Sequence, residues 1–285
     1  MLEWSQCTIG YRKNLPILDQ FSLTCDDSAV IVGPSGVGKS TLLAAMMGLV
    51  PYVKGHLRVG QREVNGLPQI SRQYLSYLPA ANLLPLDVTV EEYLTELARI
   101  DGLSWSSARR QALAMAARLH LAEVLTRRIR WLSGGMKRRT LLAAAVLKPA
   151  EWLMVDQATA GLDPEEQRTV LDLLQAETQS RGVLMVTQEL DELAQFQKRV
   201  LILMDGNIIF DGSSEDLRET ARGHVFQRAL DSTPPPFDFW QPLPNDTAIK
   251  VYQHSIPKGC QAIAPEVEDG YFWKILTTKG RDHDD

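Results

Sequence analysis

The chain has 285 residues, 45% hydrophobic and 23% charged, which excludes a disordered chain and leaves room for one large domain beside a small one. The net charge of −5 offers nothing overall that would recruit nucleic acid as a partner, and the basic runs Arg127-Arg128-Ile129-Arg130 and Lys137-Arg138-Arg139 read as solvated helix faces. Cys7, Cys25 and Cys260 are scattered, which fits a reducing compartment rather than a disulfide framework or a zinc site, and no apolar run approaches the roughly 18 residues of a membrane span.

In chain order, MLEWSQCTIGYRKN lacks a basic-then-apolar leader pattern, and residues 2–9 and 15–24 read as strands. Val30-Ile31-Val32 is a short apolar strand that runs into Gly33-Pro34-Ser35-Gly36-Val37-Gly38-Lys39-Ser40 and then into the helix TLLAAMMGLV. His56 to Val64 reads as a hairpin around Gly60, and Thr89 to about Leu125 as helical, opened by a Thr89–Glu92 capping box. Trp152–Val155 and Val183–Val186 are short apolar runs fit for buried parallel strands. Asp163-Pro164-Glu165-Glu166 opens a further helix, with Asp163 as its cap. Leu201 to Phe210 is a tight hairpin, because Asp205-Gly206 accepts the positive φ angles of a type I′ turn. Thr233-Pro234-Pro235-Pro236 cannot be helix interior and marks a linker, and residues 237–285 read as a small appendage whose polar end is expected to fray.

Strand, glycine-rich loop and helix in that order are the context of a phosphate-binding loop. The glycines let backbone amides converge on phosphate oxygens, and the helix adds its positive end. Lys39 would reach the β and γ phosphates of ATP, and Ser40 would hold Mg²⁺. Asp156 ends an apolar strand, where an acid supplies the second anchor for that ion. Ser133-Gly134-Gly135, about twenty residues earlier, exposes backbone amides at a helix start, a second phosphate-binding surface.

The order GPSGVGKS, LSGGM, strand-Asp156, Gly161-Leu162-Asp163 and VLMVTQEL, spanning roughly residues 1–215, resembles the ATP-binding subunit of an ABC transporter. The resemblance implies an α/β fold: a phosphate-loop NTPase core with an N-terminal antiparallel sheet, a helical subdomain near residues 88–130 and a small C-terminal appendage. The cassette would span residues 1–232, the linker 233–236 and the appendage 237–285. In that family two cassettes close head to tail, each ATP lying between one chain's phosphate loop (here Gly33 to Thr41) and the other chain's LSGG segment. By the same resemblance Tyr11 would stack on adenine, Asp163 would lie in the loop that crosses between subunits, and the helical subdomain would contact an integral membrane permease, placing the chain peripherally on the cytoplasmic face. The segment Ala264 to Phe272 is similar to the C-terminal part of ATPase subunits serving ABC-2 exporters, and equally reads as an acidic turn leading into a strand or helix YFWKIL.

Three positions depart from the family pattern. Gln157 stands where a Glu polarises the attacking water, Gln188 where a His contacts the γ-phosphate, and Ala80 where a Gln touches Mg²⁺. A carboxamide can orient water but is not a base near neutral pH, so binding should survive while turnover falls. Four readings follow: the degenerate half of a heterodimer, a Gln157 introduced to trap ATP, a slow homodimeric switch, or a soluble regulatory ATPase. The first accounts for eroded catalytic positions beside an intact LSGG segment.

Overall fold

The computed structural model describes residues 1–65, 67–100, 102–196, 198–229, 240–243 and 248–281. The chain opens with β1 (Leu2–Gly10) and β2 (Leu18–Cys25). In β1, Leu2 and Trp4 point inward, as alternation requires, but so do Cys7 and Ile9. A bulge at Gln6, with φ of 49°, resets the phase and keeps both pairs in the core.

β3 (Ala29–Val32) leads into α1 (Lys39–Met46), which stops before Gly48, in the left-handed region at φ 68°, so the helix is shorter than TLLAAMMGLV suggests. β4 (Tyr52–Val59) and β5 (Arg62–Glu63) form the hairpin around Gly60 and complete an antiparallel sheet of order β2-β1-β4-β5.

α2 (Pro68–Tyr74) and β6 (Leu75–Leu78) precede the helical region. That region is two helices, α3 (Val90–Ile100) and α4 (Trp105–Arg118), rather than one continuous stretch to Leu125. The break falls at Gly102, with φ of 92°, and Ser104 caps α4 by accepting from the amide of Ser107. The Thr89–Glu92 capping box forms in both directions, at 2.8 and 3.2 Å.

There follow α5 (Gly134–Leu147), β7 (Trp152–Asp156), α6 (Pro164–Glu177), β8 (Gly182–Val186), α7 (Asp191–Phe196), β9 (Arg199–Met204) and β10 (Asn207–Gly212). The central sheet has order β10-β9-β3-β8-β7-β6, parallel except for the β9–β10 hairpin at its edge. That hairpin turns at Asp205 and Gly206, both at positive φ. Both faces of the sheet are covered, which explains the unbroken apolar runs. Val30, Val32, Leu153, Val155, Val183 and Met185 pack beneath the helices, while Ala29, Ile31, Trp152, Met154, Leu184 and Val186 face the antiparallel sheet.

The last elements are α8 (Ser214–Thr220), β11 (Val225–Ala229), β12 (Trp240–Pro242), β13 (Ala248–Tyr252), β14 (Gln261–Ala262) and α9 (Val267–Arg281). Their sheet, of order β12-β13-β11-β14, draws strands from both sides of Thr233–Pro236, a linker segment outside the described residues, as are the terminal residues 282–285. The run YFWKIL is helical. α9 packs so closely on α8 that a Cβ on Gly270 would lie 2.1 Å from the Leu217 carbonyl oxygen. Val267, Tyr271 and Ile275 join the main core. Among the described residues no helix is long and apolar enough to cross a membrane.

Candidate functional site

The carboxyl ends of β3, β7 and β8 lie level, since Ile31 and Asp156 both pair with Val186. Open α/β sheets present ligand sites at that edge. There the chain forms a tight loop from Gly33 to Gly38, just ahead of α1. A Cβ on Gly33 would sit 2.1 Å from the Leu203 carbonyl oxygen, and one on Gly38 2.9 Å from Ile17, so only glycine permits the close approach. Gly36 and Gly38 also adopt positive φ, at 81° and 106°. Val37 anchors the loop against the core, Ser35 and Gly36 are exposed, and Thr41 is buried. No side chain caps the start of α1, which leaves its first amides directed at the loop without a side-chain acceptor.

Lys39 is buried and folds back over this loop, donating to the carbonyls of Gly33 at 2.6 Å and Pro34 at 2.9 Å. Burial pulls its ammonium down to about 8, with the Asp156 carboxylate working against the fall. Ser40 Oγ donates to Asp156 Oδ1 at 3.0 Å, joining the start of α1 to the end of β7. Burial raises the Asp156 carboxyl, opposed by Ser40, Arg138, Lys39 and Tyr77. A hydroxyl beside a buried carboxylate is a hard-oxygen donor set suited to Mg²⁺, which would offset the desolvation of Asp156.

Gln157 follows Asp156 in the left-handed region, at φ 51°, with its amide donating to the Val186 carbonyl at 2.9 Å. The turn brings Gln157 and Gln188 to one small cavity of about 50 Å³, lined also by Thr159, Ala160, Thr187 and Glu189. Behind the cavity, Glu192 of α7 is buried and accepts from the Thr159 hydroxyl. Ala80 is exposed after β6 and contributes its carbonyl, which accepts from Arg138 at 3.3 Å.

Arg138 and Arg139 do not form a solvated face. Both are buried, Arg138 against the carbonyls of Pro79, Ala80, Asp156, Gln157 and Ala158. Arg139 pairs with Glu166 at 2.6 Å and donates to the Leu119 and His120 carbonyls. The residue type misled, but the spacing carries the signal. Leu142 and Ala145 stand four and seven residues after Arg138, and Ala143 and Val146 stand likewise after Arg139, all buried. Arg127, Arg128 and Arg130, in contrast, are exposed.

Ser133 caps α5 by accepting from the Met136 amide at 3.1 Å, so the Ser133-Gly134-Gly135 turn opens a helix as its pattern suggests. A Cβ on Gly135 would lie 2.6 Å from a Glu166 carboxylate oxygen. Glu166 sits in the first turn of α6, whose cap, Asp163, is exposed and accepts the Glu166 amide at 2.9 Å. Glu166 thus lies against the start of α5 and joins it to the start of α6 through its pair with Arg139. Tyr11 stands 55% exposed in the turn joining β1 to β2, the turn whose far side, at Ile17 and Leu18, abuts Gly38. Sequence reading missed Arg138, Arg139, Glu166 and Glu192, all charged residues whose partners lie on other elements.

Residues 18–160, just over half of the chain, match the family model described as ABC transporter. The chain is 27% identical over 254 residues to the daunorubicin/doxorubicin resistance ATP-binding protein DrrA of Streptomyces peucetius, covering 89% of this chain and 76% of DrrA. It is 32% identical over 212 residues to the phospholipid-transporting ATPase ABCA3 of Rattus norvegicus, covering 74% of this chain but only 12% of that protein's length. Its fold superposes on the ATP-binding cassette MJ0796, solved as a dimer in a post-hydrolysis state with ADP and Pi, with a TM-score of 0.68, 23% identity and coverage of 75% of this chain and 98% of that one. With the glycine loop, the Ser40–Asp156 pair and the capped Ser133 turn in place, the family match makes this chain a member of the ABC transporter family, as an ATP-binding domain.

Proposed function

We propose that this chain is an ABC transporter ATP-binding subunit that closes on ATP against a second cassette to drive a separate membrane-spanning permease, and that its own site hydrolyses slowly. Lys39 and the amides of Gly33, Ser35, Gly36, Val37 and Gly38 hold the phosphates, with Thr41 supporting the loop from α1. Ser40 and Asp156 hold Mg²⁺, which when bound offsets charge on the phosphates. Tyr11 stacks on adenine, while Ser133, Gly134, Gly135 and Asp163 face the other cassette.

The observation that carries this reading is the contrast within one sheet edge. Lys39 folds over the glycine loop and Ser40 meets Asp156, yet the cavity next to this pair carries carboxamides at 157 and 188. A partner that supplies a Glu and a His at those positions, and borrows this chain's capped Ser133 turn, favours a heterodimer. The names of the relatives, a drug-resistance protein and a phospholipid transporter, support a peripheral role at the cytoplasmic face of a membrane over a soluble regulatory one.

The test is an ATP titration of the purified chain with Mg²⁺, paired with steady-state ATPase activity. The expected result is saturable binding with little turnover. Turnover at the rate of an intact cassette overturns the weak-site reading, and absent binding overturns the whole assignment.

A further inference from the structure

The cavity between Gln157 and Gln188 has a polar wall that leads inward. At about 50 Å³ it is large enough for a single water. Gln157, Thr159, Thr187 and Gln188 supply the several polar partners that a held water needs. None of these four is a base near neutral pH, and the one carboxylate that also lines the cavity, Glu189, is exposed to solvent.

Directly behind this wall lies a carboxyl group that the site as described leaves without a task. Glu192 is 3% exposed. Its Oε1 accepts the hydrogen bond of the Thr159 hydroxyl. The Thr187 hydroxyl also faces the carboxyl, without closing a well-formed hydrogen bond to Oε2. Burial raises its carboxyl above the ordinary range, with Thr159, Thr187 and the Arg138 guanidinium acting against the rise and Glu189 adding to it. An ionised group in such a position binds a proton more avidly than a solvated carboxylate. Leu193 and Phe196, which follow Glu192 in α7, pack that helix into the main core.

We propose that Glu192, acting through the Thr159 hydroxyl, is the proton acceptor for the slow hydrolysis that remains at this site. It stands in for the carboxylate absent at 157. The proposal rests on the ATP-binding reading above. Water held by Gln157 and Gln188 attacks the terminal phosphorus. The new oxygen–phosphorus bond forms as the bond to the ADP oxygen breaks. The water gives its proton to Thr159 Oγ1 while Thr159 gives its own to Glu192 Oε1. The products are ADP, phosphate and a neutral Glu192, which later returns the proton to solvent by the same route. Glu192 does not touch the reacting atoms; it is a positioning and relay residue behind Thr159. The detour through a hydroxyl, which is a poor proton carrier, accounts for a slow rate.

The test is single-turnover hydrolysis of radiolabelled ATP by the full chain, with ATP affinity measured alongside. Glu192→Gln, which keeps the acceptor for Thr159, should lower the rate constant by about tenfold or more while leaving the dissociation constant for ATP in place. Thr159→Val should do the same, and Thr159→Ser should recover the rate. In a Gln157→Glu background the loss on Glu192→Gln should be much smaller, because the water then meets a carboxylate directly. A readout free of nucleotide is the pH dependence of stability in urea. A carboxyl raised in the folded state makes the parent lose stability as pH rises above the ordinary carboxylate range, and Glu192→Gln should reduce that slope, leaving the share that the raised Asp156 and Glu268 carboxyls contribute. The proposal is overturned if Glu192→Gln hydrolyses at the parent rate, if its loss is undiminished in the Gln157→Glu background, if Glu189→Gln loses more than Glu192→Gln, or if the parent shows binding but no hydrolysis. Absence of ATP binding would instead sink the nucleotide assignment itself.

Discussion

Arg138 of α5 and the backbone of Gln157 are directly joined: the guanidinium donates to the Gln157 carbonyl at 2.8 Å and to the neighbouring carbonyls of Asp156 and Ala158. One buried side chain thus fixes both the left-handed turn after β7 and the helix that begins at Ser133. Arg138→Met should leave those carbonyls without donors and lower stability by about 3 kcal/mol, read from urea unfolding. Arg138→Lys should recover part of the loss, since an ammonium keeps the charge but not the planar fork. A Met variant as stable as the parent would show that the carbonyls find other donors.

Lys39 supplies the second prediction. Lys39→Ala should abolish measurable ATP binding, and unchanged affinity would sink the loop assignment. The pH dependence has a definite sign. The free ammonium titrates near 8, and a bound phosphate would hold it protonated. Affinity should therefore weaken as pH rises, by about tenfold between about pH 7 and about pH 9, with proton uptake on binding at the upper end. Isothermal titration in two buffers of different ionisation enthalpy would report both.

The cavity residues give a gain rather than a loss. On the proposed reading Gln157→Glu restores a carboxylate to the cavity shared with Gln188, and should raise the turnover number on the order of 10²-fold with little change in ATP affinity. Adding Gln188→His should raise it further. A double variant no faster than the parent would mean that the handicap lies elsewhere, with Ala80 the next residue to exchange.

Gly270 tests how the appendage is held. In Gly270→Ala the new methyl would collide with the Leu217 carbonyl oxygen, and α9 must shift away from α8. The expected cost is about 1–3 kcal/mol, seen as a lower melting temperature. Faster amide exchange should be confined first to α8 and α9. Unchanged exchange there would show that the contact tolerates a methyl.

Much of the architecture was legible in the sequence because the signals are local. The capping boxes and caps at Thr89, Ser133 and Asp163 are satisfied within a single helical turn, the Asp205-Gly206 turn needs only its own backbone angles, and the glycine loop follows from strand–loop–helix order. Where local pattern was ambiguous, geometry broke the tie. The helical stretch from Thr89 splits at Gly102, and YFWKIL, readable as strand or helix, folds as α9.

Tertiary structure alone decided the rest. Arg138 and Arg139 read as solvent-facing because charge normally is. Their burial becomes tolerable only when carbonyls from the ends of β6 and β7 and the turn after α4, and the carboxylate of Glu166, converge on them. Gln157 and Gln188 are far apart in sequence and share a cavity because β7 and β8 are in register. Glu192 gave no sequence signal at all, since its partner Thr159 belongs to a different element. The sequence by itself determined the strand–glycine loop–helix order at Gly33–Ser40 and the capped helix start at Ser133. Long-range strand pairing, whose partners no local periodicity encodes, decided which polar groups meet around them.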